Sequence, residues 1–362
     1  MDVNQHTDTL TNGLSLADRR VILVGGAGFI GHHLALRLAT LGARVDLVDH
    51  LQVNHVAAYA ASDVGPDGGD LYRRMLAERL SLLRQAGVHL HVLDARDLHG
   101  LASLVRDREP HIVVHLAGIA HANRANVEPH LAFEHTVRTL ACTLEAVRGR
   151  RPHFIYFSSS MVYGNFASGT VDEDSPCTPL GVYGSLKYGG EKMVIAAGQV
   201  SGMPWTIIRP SALYGERCVS RRVVQVFIES ALDGRELVVA GDGEDRLDFT
   251  YIEDLVHGVV CAIESPAAHD QVFNLTCGCS RSIRELIDLV TEEFDGVTVR
   301  FEPRDRLTPS RGTLCVDKAR SLIGYAPSAT LERGFGQYAR WYRSFARRPA
   351  GRANAPELLV GS

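Results

Sequence analysis

No apolar run in this 362-residue chain approaches the roughly 18–20 residues of a membrane span. The first 18 residues, MDVNQHTDTLTNGLSLAD, are polar and hold no apolar signal segment. They read as a flexible N-terminal tail on a cytoplasmic protein. A basic surplus is missing as well. The 38 Lys+Arg and 42 Asp+Glu leave a net charge of −4, which offers nucleic acid or an anionic membrane no attractive field. Seven scattered cysteines, an odd number, form no disulfide framework and read as reduced thiols, Cys277-Gly-Cys279 included. Sixteen histidines show no metal-ligand spacing, since His89-x-His91 has no cysteine or carboxylate cluster beside it, and no metal is expected. No internal repeat is present. What is present is 45% hydrophobic and 22% charged residues, enough for a packed core. At roughly 150 residues per domain, the length fits one large domain or two unequal lobes.

Short β-branched runs alternate with amphipathic stretches. The apolar runs at 21–26, 43–49, 88–94, 111–118, 153–160 and 204–210 read as strands. Helices are expected over 32–41 and 71–87, each stopped by glycine, with longer ones between the later strands. Alternating β and α elements predict an α/β fold with a doubly wound parallel sheet. The strands lack polar alternation, as strands covered on both faces should. Past residue 210 arginines become denser and the regular alternation ends. We expect a first domain over 19–210, with a glycine-rich insertion at about 52–70, and a smaller α/β lobe occupying mainly 211–346. Residues 347–362 read as a flexible tail.

The first strand runs into Gly25-Gly26-Ala27-Gly28-Phe29-Ile30-Gly31 and then a helix. Gly25 permits a tight turn, Gly28 lets a pyrophosphate approach the backbone, and Gly31 lets helix and strand pack closely. The helix N-terminus then offers N–H groups to phosphate oxygens. Asp49 follows Gly31 by 18 residues, at the end of the second strand. A carboxylate there suits the ribose hydroxyls of NAD and repels the 2′-phosphate of NADP. Further on, Tyr183-Gly-Ser-Leu-Lys187 sets a phenol and an ammonium one helical turn apart. The ammonium favours phenolate, so Tyr183 can take a proton from a hydroxyl. The fifth strand ends in Ser158-Ser159-Ser160, whose hydroxyls could share that proton.

With these motifs the chain resembles the extended short-chain dehydrogenase/reductases, in the NAD-dependent sugar-nucleotide epimerase/dehydratase branch. The likeness spans about residues 20–345. It rests on GGAGFIGHHL, LDARD, HLAG (115–118), FSSSMVYG (157–164), YGSLK, GDGEDRLDFTYIEDL (241–255) and RGTLCVDKARSLIGYAP (311–327). The resemblance implies a Rossmann-type NAD-binding domain and a C-terminal substrate lobe. NAD would be held by Gly25, Gly28, Phe29, Ile30, Gly31, Asp49, Asp94, Ala95, Leu116, Ala117, Tyr183 and Lys187. Within that set Asp94 would bind the adenine amine and Lys187 the nicotinamide ribose. Ser159, Tyr183 and Lys187 would be catalytic. Ser159, Ser160, Arg217, Arg246 and Arg311 would bind a nucleotide-diphosphate sugar, with Arg246 and Arg311 on the diphosphate. The family often forms homodimers through helices flanking the fifth strand.

The resemblance covers several reactions. A 4,6-dehydratase of this kind carries an Asp-Glu pair where this chain has Ser160 and Met161, and a decarboxylase a glutamate in the same turn. A ketoreductase would exchange its nicotinamide and more often use NADP. A catalytically silent NAD sensor would have lost the tyrosine or the lysine, and both are here. The minimal set suits C4 epimerisation: Tyr183 removes the 4-OH proton, NAD takes the C4 hydride, and the 4-keto sugar turns before the hydride returns. Two departures bear on the sugar. Ala212 replaces the usual asparagine after the sixth strand, and Thr136-Val-Arg-Thr-Leu140 replaces an Asn-Val-x-Gly-Thr run. Uronate epimerases of the family also lack that asparagine and place arginine after Tyr-Gly, as Tyr214-Gly-Glu-Arg217 does. Arg217, or Arg221 or Arg222, could then meet a C6 carboxylate. His121, Asn123 and Arg124 follow the fourth strand, where substrate loops lie.

Overall fold

Apolar residues on consecutive strand positions need cover on both faces of a sheet, and the computed structural model supplies it. It describes residues 15–52 and 69–348. Most of the expected N-terminal tail, insertion and C-terminal tail (1–14, 53–68 and 349–362) lies outside the described residues. The chain opens with β1 (Arg20–Val24), α1 (Phe29–Thr40), β2 (Arg44–Asp49) and α2 (Asp70–Gln85). β3 (His89–Val92), α3 (Leu98–Arg108) and β4 (Ile112–His115) follow. Next come α4 (Ala122–Val127), α5 (Pro129–Phe133), a π-type turn over Glu134–Arg138, and α6 (Thr139–Ala146). β5 (His153–Phe157), α7 (Gly181–Ser201) and β6 (Trp205–Arg209) continue the alternation. The remainder holds α8 (Val223–Leu232), α9 (Ile252–Glu264), β7 (Gln271–Asn274), α10 (Ile283–Glu293), α11 (Asp317–Ile323) and α12 (Leu331–Arg347).

The seven labelled strands form one parallel sheet in the order β3-β2-β1-β4-β5-β6-β7. Successive strand residues point to opposite faces. Val21, Leu23, Val45 and Leu47 join the core on the face of α1, α2 and α9. Ile22, Val24 and Val48 join Leu101 and Val105 of α3, Leu140 of α6 and Val194 of α7 on the other. Strand order reverses between β1 and β4, so a crevice opens there at the strands' carboxyl ends. β1, β3, β4 and β5 stop two to three residues short of the apolar runs in the sequence. Gly25-Gly26, Asp94 and Ser158-Ser159-Ser160 lie beyond them, in the loops that face the crevice.

The expected division at 210 is crossed in both directions. β7, from the presumed lobe, completes the main sheet beside β6. Thr170–Val171, from before the division, pairs with Thr313–Leu314. The lobe itself is made of short pairings, 237–240 with 299–302 and 246–247 with 281–282. Leu213–Tyr214 pairs with Thr250–Tyr251, and α9 follows directly. The apolar stripe of α12 (Leu331, Phe335, Tyr338, Tyr342, Phe345) closes the core at the end of the described chain.

Candidate active site

The glycine turn has physical reasons at each step. Gly25 leaves β1 at φ +82°, and a Cβ there would stand 2.7 Å from the Ala117 nitrogen. Only glycine adopts that turn so close to Leu116-Ala117. A Cβ on Gly31 would come within 2.5 Å of the Gly26 carbonyl oxygen, so α1 can lie this near the turn only without one. Gly28 caps α1 without a side chain to accept the first N–H groups. A Cβ on Gly28 would meet only the Gly25 oxygen, at 3.2 Å, so its other side is open. An open backbone cradle at the positive end of a helix fits a pyrophosphate. Ile30 faces the cavity described below, whereas the Phe29 ring packs edge-on to His33.

Two carboxylates stand on the β2–β3 side of the turn. Asp49 ends β2, buried, with Oδ2 accepting the Ala27 N–H at 3.0 Å and Oδ1 the Leu51 N–H at 2.8 Å. It is thereby fixed against the glycine turn. Asp94 lies two residues past β3 and is gripped by Arg96, whose Nη2 donates to Oδ2 at 2.6 Å. Hydrogen bonds from Arg96 hold the Asp94 carboxyl down at about 2. Ala95 packs into the core beside it.

On the β4–β5 side, α7 carries Tyr183 and Lys187 along one face. Lys187 is buried, and its Nζ donates to the Phe157 carbonyl, the last of β5, at 2.8 Å. Burial pushes the ammonium down to about 8, against the pull of Glu191 one turn on. Ser159 caps the short turn Ser160–Tyr163, its Oγ accepting the Met161 N–H at 3.2 Å. A buried network holds α7 to the sheet. Ser158 Oγ donates to Glu191 Oε1 at 2.5 Å, and Glu191 receives Arg209 of β6 through Nε (2.9 Å) and Nη2 (2.8 Å). Arg209 Nη1 also reaches the Tyr163 hydroxyl at 2.9 Å, which donates to Asn274 of β7 at 2.8 Å.

Ser159, Ser160, Tyr183 and Lys187 line one cavity of about 420 Å³, together with Ile30 and Leu116. Arg221, Arg222 and Arg311 also line it, and no Asp or Glu does among the described residues. The buried Nε of Arg311 has no hydrogen-bond partner among the described residues. Burial, and then the nearby Arg222, push its guanidinium down to about 10. Arg222 is held by the Ala120 carbonyl at 3.0 Å. Stacked positive charge without an acid suits an anionic ligand. His121 and Asn123 reach the same cavity. Leu307, Thr308 and Pro309 do too; sequence reasoning passed them over, and their only signal is nearness to Arg311.

Two arginines expected at the substrate stand elsewhere. Arg217 does not line the cavity: its side chain turns to His32 (3.2 Å), Glu78 (3.7 Å) and the Trp341 ring. The backbone at 217 is left-handed, with φ +59°. Arg246 is spent within the lobe on Ser280, donating to its carbonyl at 2.5 Å, with Glu285 at 3.9 Å. Elsewhere, His91 pairs with Asp46 at 2.6 Å, and all seven cysteines are unpaired. No group of three or more potential metal ligands occurs among the described residues. No helix among them is long and apolar enough to cross a membrane. A second cavity of about 530 Å³, beside His33, Glu253 and Arg333, holds none of the expected site residues.

Residues 21–276 match the NAD dependent epimerase/dehydratase family. YtcB of Bacillus subtilis (strain 168), an uncharacterized UDP-glucose epimerase, is 29% identical over 87% of this chain and 95% of its own. A dTDP-glucose 4,6-dehydratase of Actinoplanes sp. is 27% identical over 90% of this chain and 98% of its own. Among solved structures, the UDP-glucuronic acid 4-epimerase of Bacillus cereus, in complex with UDP-glucuronic acid and NAD, is similar with a TM-score of 0.78. It is 25% identical, and the match covers 90% of this chain and 99% of that one.

Proposed function

The chain belongs to the NAD dependent epimerase/dehydratase family, and from that membership we propose an NAD-dependent epimerase of a nucleotide-diphosphate sugar, acting at C4 through a transient 4-keto sugar. One observation carries the choice among the family's reactions. The cavity holds a hydroxyl, a phenol and an ammonium, but no carboxyl group lines it among the described residues. Dehydration and decarboxylation each need an acid there that Ser160 and Met161 cannot provide.

Bound across the switch point, NAD supplies a reversible hydride acceptor. The chain's own residues do the rest. Lys187 is pinned at the end of β5 and, with its acidity near 8, stays cationic at neutral pH. Tyr183 takes the proton of the sugar hydroxyl and returns it. Ser159 offers Oγ to the same oxygen. Arg311 carries its unpartnered Nε to the diphosphate, where a guanidinium fork suits the dianion. Asp49 is expected to read the adenosine ribose. Asp49→Ala should weaken NAD binding and narrow the gap between NAD and NADP, measured as dissociation constants for both. An unchanged ratio would assign the discrimination to another residue.

A second reading, a uronate as the sugar, is favoured by the charge of the cavity. Arg311, Arg222 and Lys187 face it, while Arg221, which also lines it, stands 3.5 Å from Glu229. Arg222 and Arg221 are then the partners for a C6 carboxylate, a role Arg217 cannot take from its position. NMR of UDP-, GDP-, CDP- and dTDP-sugars, neutral and uronate, decides between them. A uronate substrate should exceed its neutral counterpart by about ten-fold or more in kcat/KM, as a charge-assisted pair worth about 1.5–3 kcal/mol implies. Purified protein is expected to keep NAD through gel filtration; protein that needs added NADPH would be a ketoreductase instead. A cytoplasmic homodimer completes this reading. Val127 and Phe133, 81% and 48% exposed on α4 and α5 beside α7, offer apolar surface on the expected side.

A further inference from the structure

We propose that Arg217 is a positioning residue for the cofactor turn: through His32 and Arg79 it holds the Ala27 and Gly28 carbonyls in place. The inference rests on NAD binding at that turn. The hydrogen-bond logic fixes the first arm. An arginine nitrogen can only donate, so His32 Nε2, 3.2 Å from Arg217 Nε, carries the lone pair. The ring proton is then on Nδ1, which donates to the Gly28 carbonyl at 2.9 Å. His32 is fully buried, and burial keeps it neutral, as this relay requires.

The second arm runs through the backbone. Arg79, 1% exposed, donates from Nε to the Arg217 carbonyl at 3.0 Å and from Nη2 to the same oxygen. Its Nη1 reaches the Ala27 carbonyl at 3.4 Å. One residue further back, the Glu216 carbonyl accepts from His33 Nε2 at 3.1 Å. Residues 216–217 therefore grip the turn and the first turn of α1 at three points. Ala27 and Gly28 point their N–H groups the other way, to Asp49 and to Gly25. A glycine would hold φ +59° with less strain, but it could not reach His32. The same loop carries Arg221 and Arg222 into the sugar-nucleotide cavity, so one segment touches both halves of the site.

The test follows loss of bound NAD from the holoprotein during dialysis, with the sugar-nucleotide KM measured at saturating NAD. Arg217→Ala should release NAD about ten-fold faster or more and leave the sugar-nucleotide KM within about two-fold. His32→Asn should do the same. The double variant should lose NAD no faster than either single one, because the two links act in series. Where the alanine variant fails to fold, Arg217→Asn keeps the left-handed backbone and removes the guanidinium. Unchanged NAD retention, additive losses, or a raised sugar KM with normal retention each overturn the proposal. A parent protein that carries no NAD overturns it together with the epimerase reading; a parent that does, matched by its variants, overturns this inference alone.

Discussion

Tyr183→Phe should lower turnover by about 10²–10⁴-fold, the range set by losing a positioned general base. The substitution removes one oxygen and little else. Tyr183 lines the cavity from the first turn of α7, whose position is fixed below it by Lys187 on the Phe157 carbonyl and by Glu191 on Arg209. Neither anchor involves the phenol, so the melting temperature should stay near that of the parent. The sugar-nucleotide KM should move little compared with kcat. Near-normal turnover in the phenylalanine variant would move the base to another residue.

Arg209→Leu should cost about 3–5 kcal/mol of stability, read from urea denaturation, because it strands a buried charge. The Glu191 side chain is 1% exposed and that of Arg209 5%. Without Arg209, Glu191 keeps only the Ser158 hydroxyl among the partners described above, and water cannot reach it to compensate. A pair placed in apolar surroundings is weak evidence of net stabilisation, but breaking half of one is expensive. The double variant Arg209→Leu/Glu191→Leu should therefore be more stable than Arg209→Leu alone. Equal destabilisation in both would mean that lost packing, rather than the stranded carboxylate, sets the cost. The functional consequence goes with it, since this pair ties the helix bearing Tyr183 and Lys187 to β6.

What the sequence disclosed was local. The glycine turn, Asp49 and the Tyr183–Lys187 spacing are each contained within one strand, turn or helix, where period and chirality decide position. The parallel order followed from alternation of elements. The positions of the Arg217 and Arg246 side chains are not legible in the sequence, because side-chain direction depends on neighbours that no spacing encodes: His32 in one case, Ser280 in the other. β7 escaped notice because Gln271–Asn274 is only four residues long and carries no apolar run. No motif marks Glu191 in the sequence. Its partner Arg209 reaches it only once β6 lies against β5, a long-range fact.

The exchange of strands across residue 210 bears on how the molecule is made. While the chain emerges from the ribosome, β6 has an open edge until Gln271–Asn274 arrives to cover it. The amino-terminal half therefore cannot finish folding during synthesis before most of the other half exists. A fragment cut at 210 would expose that edge and tend to aggregate rather than bind dinucleotide by itself.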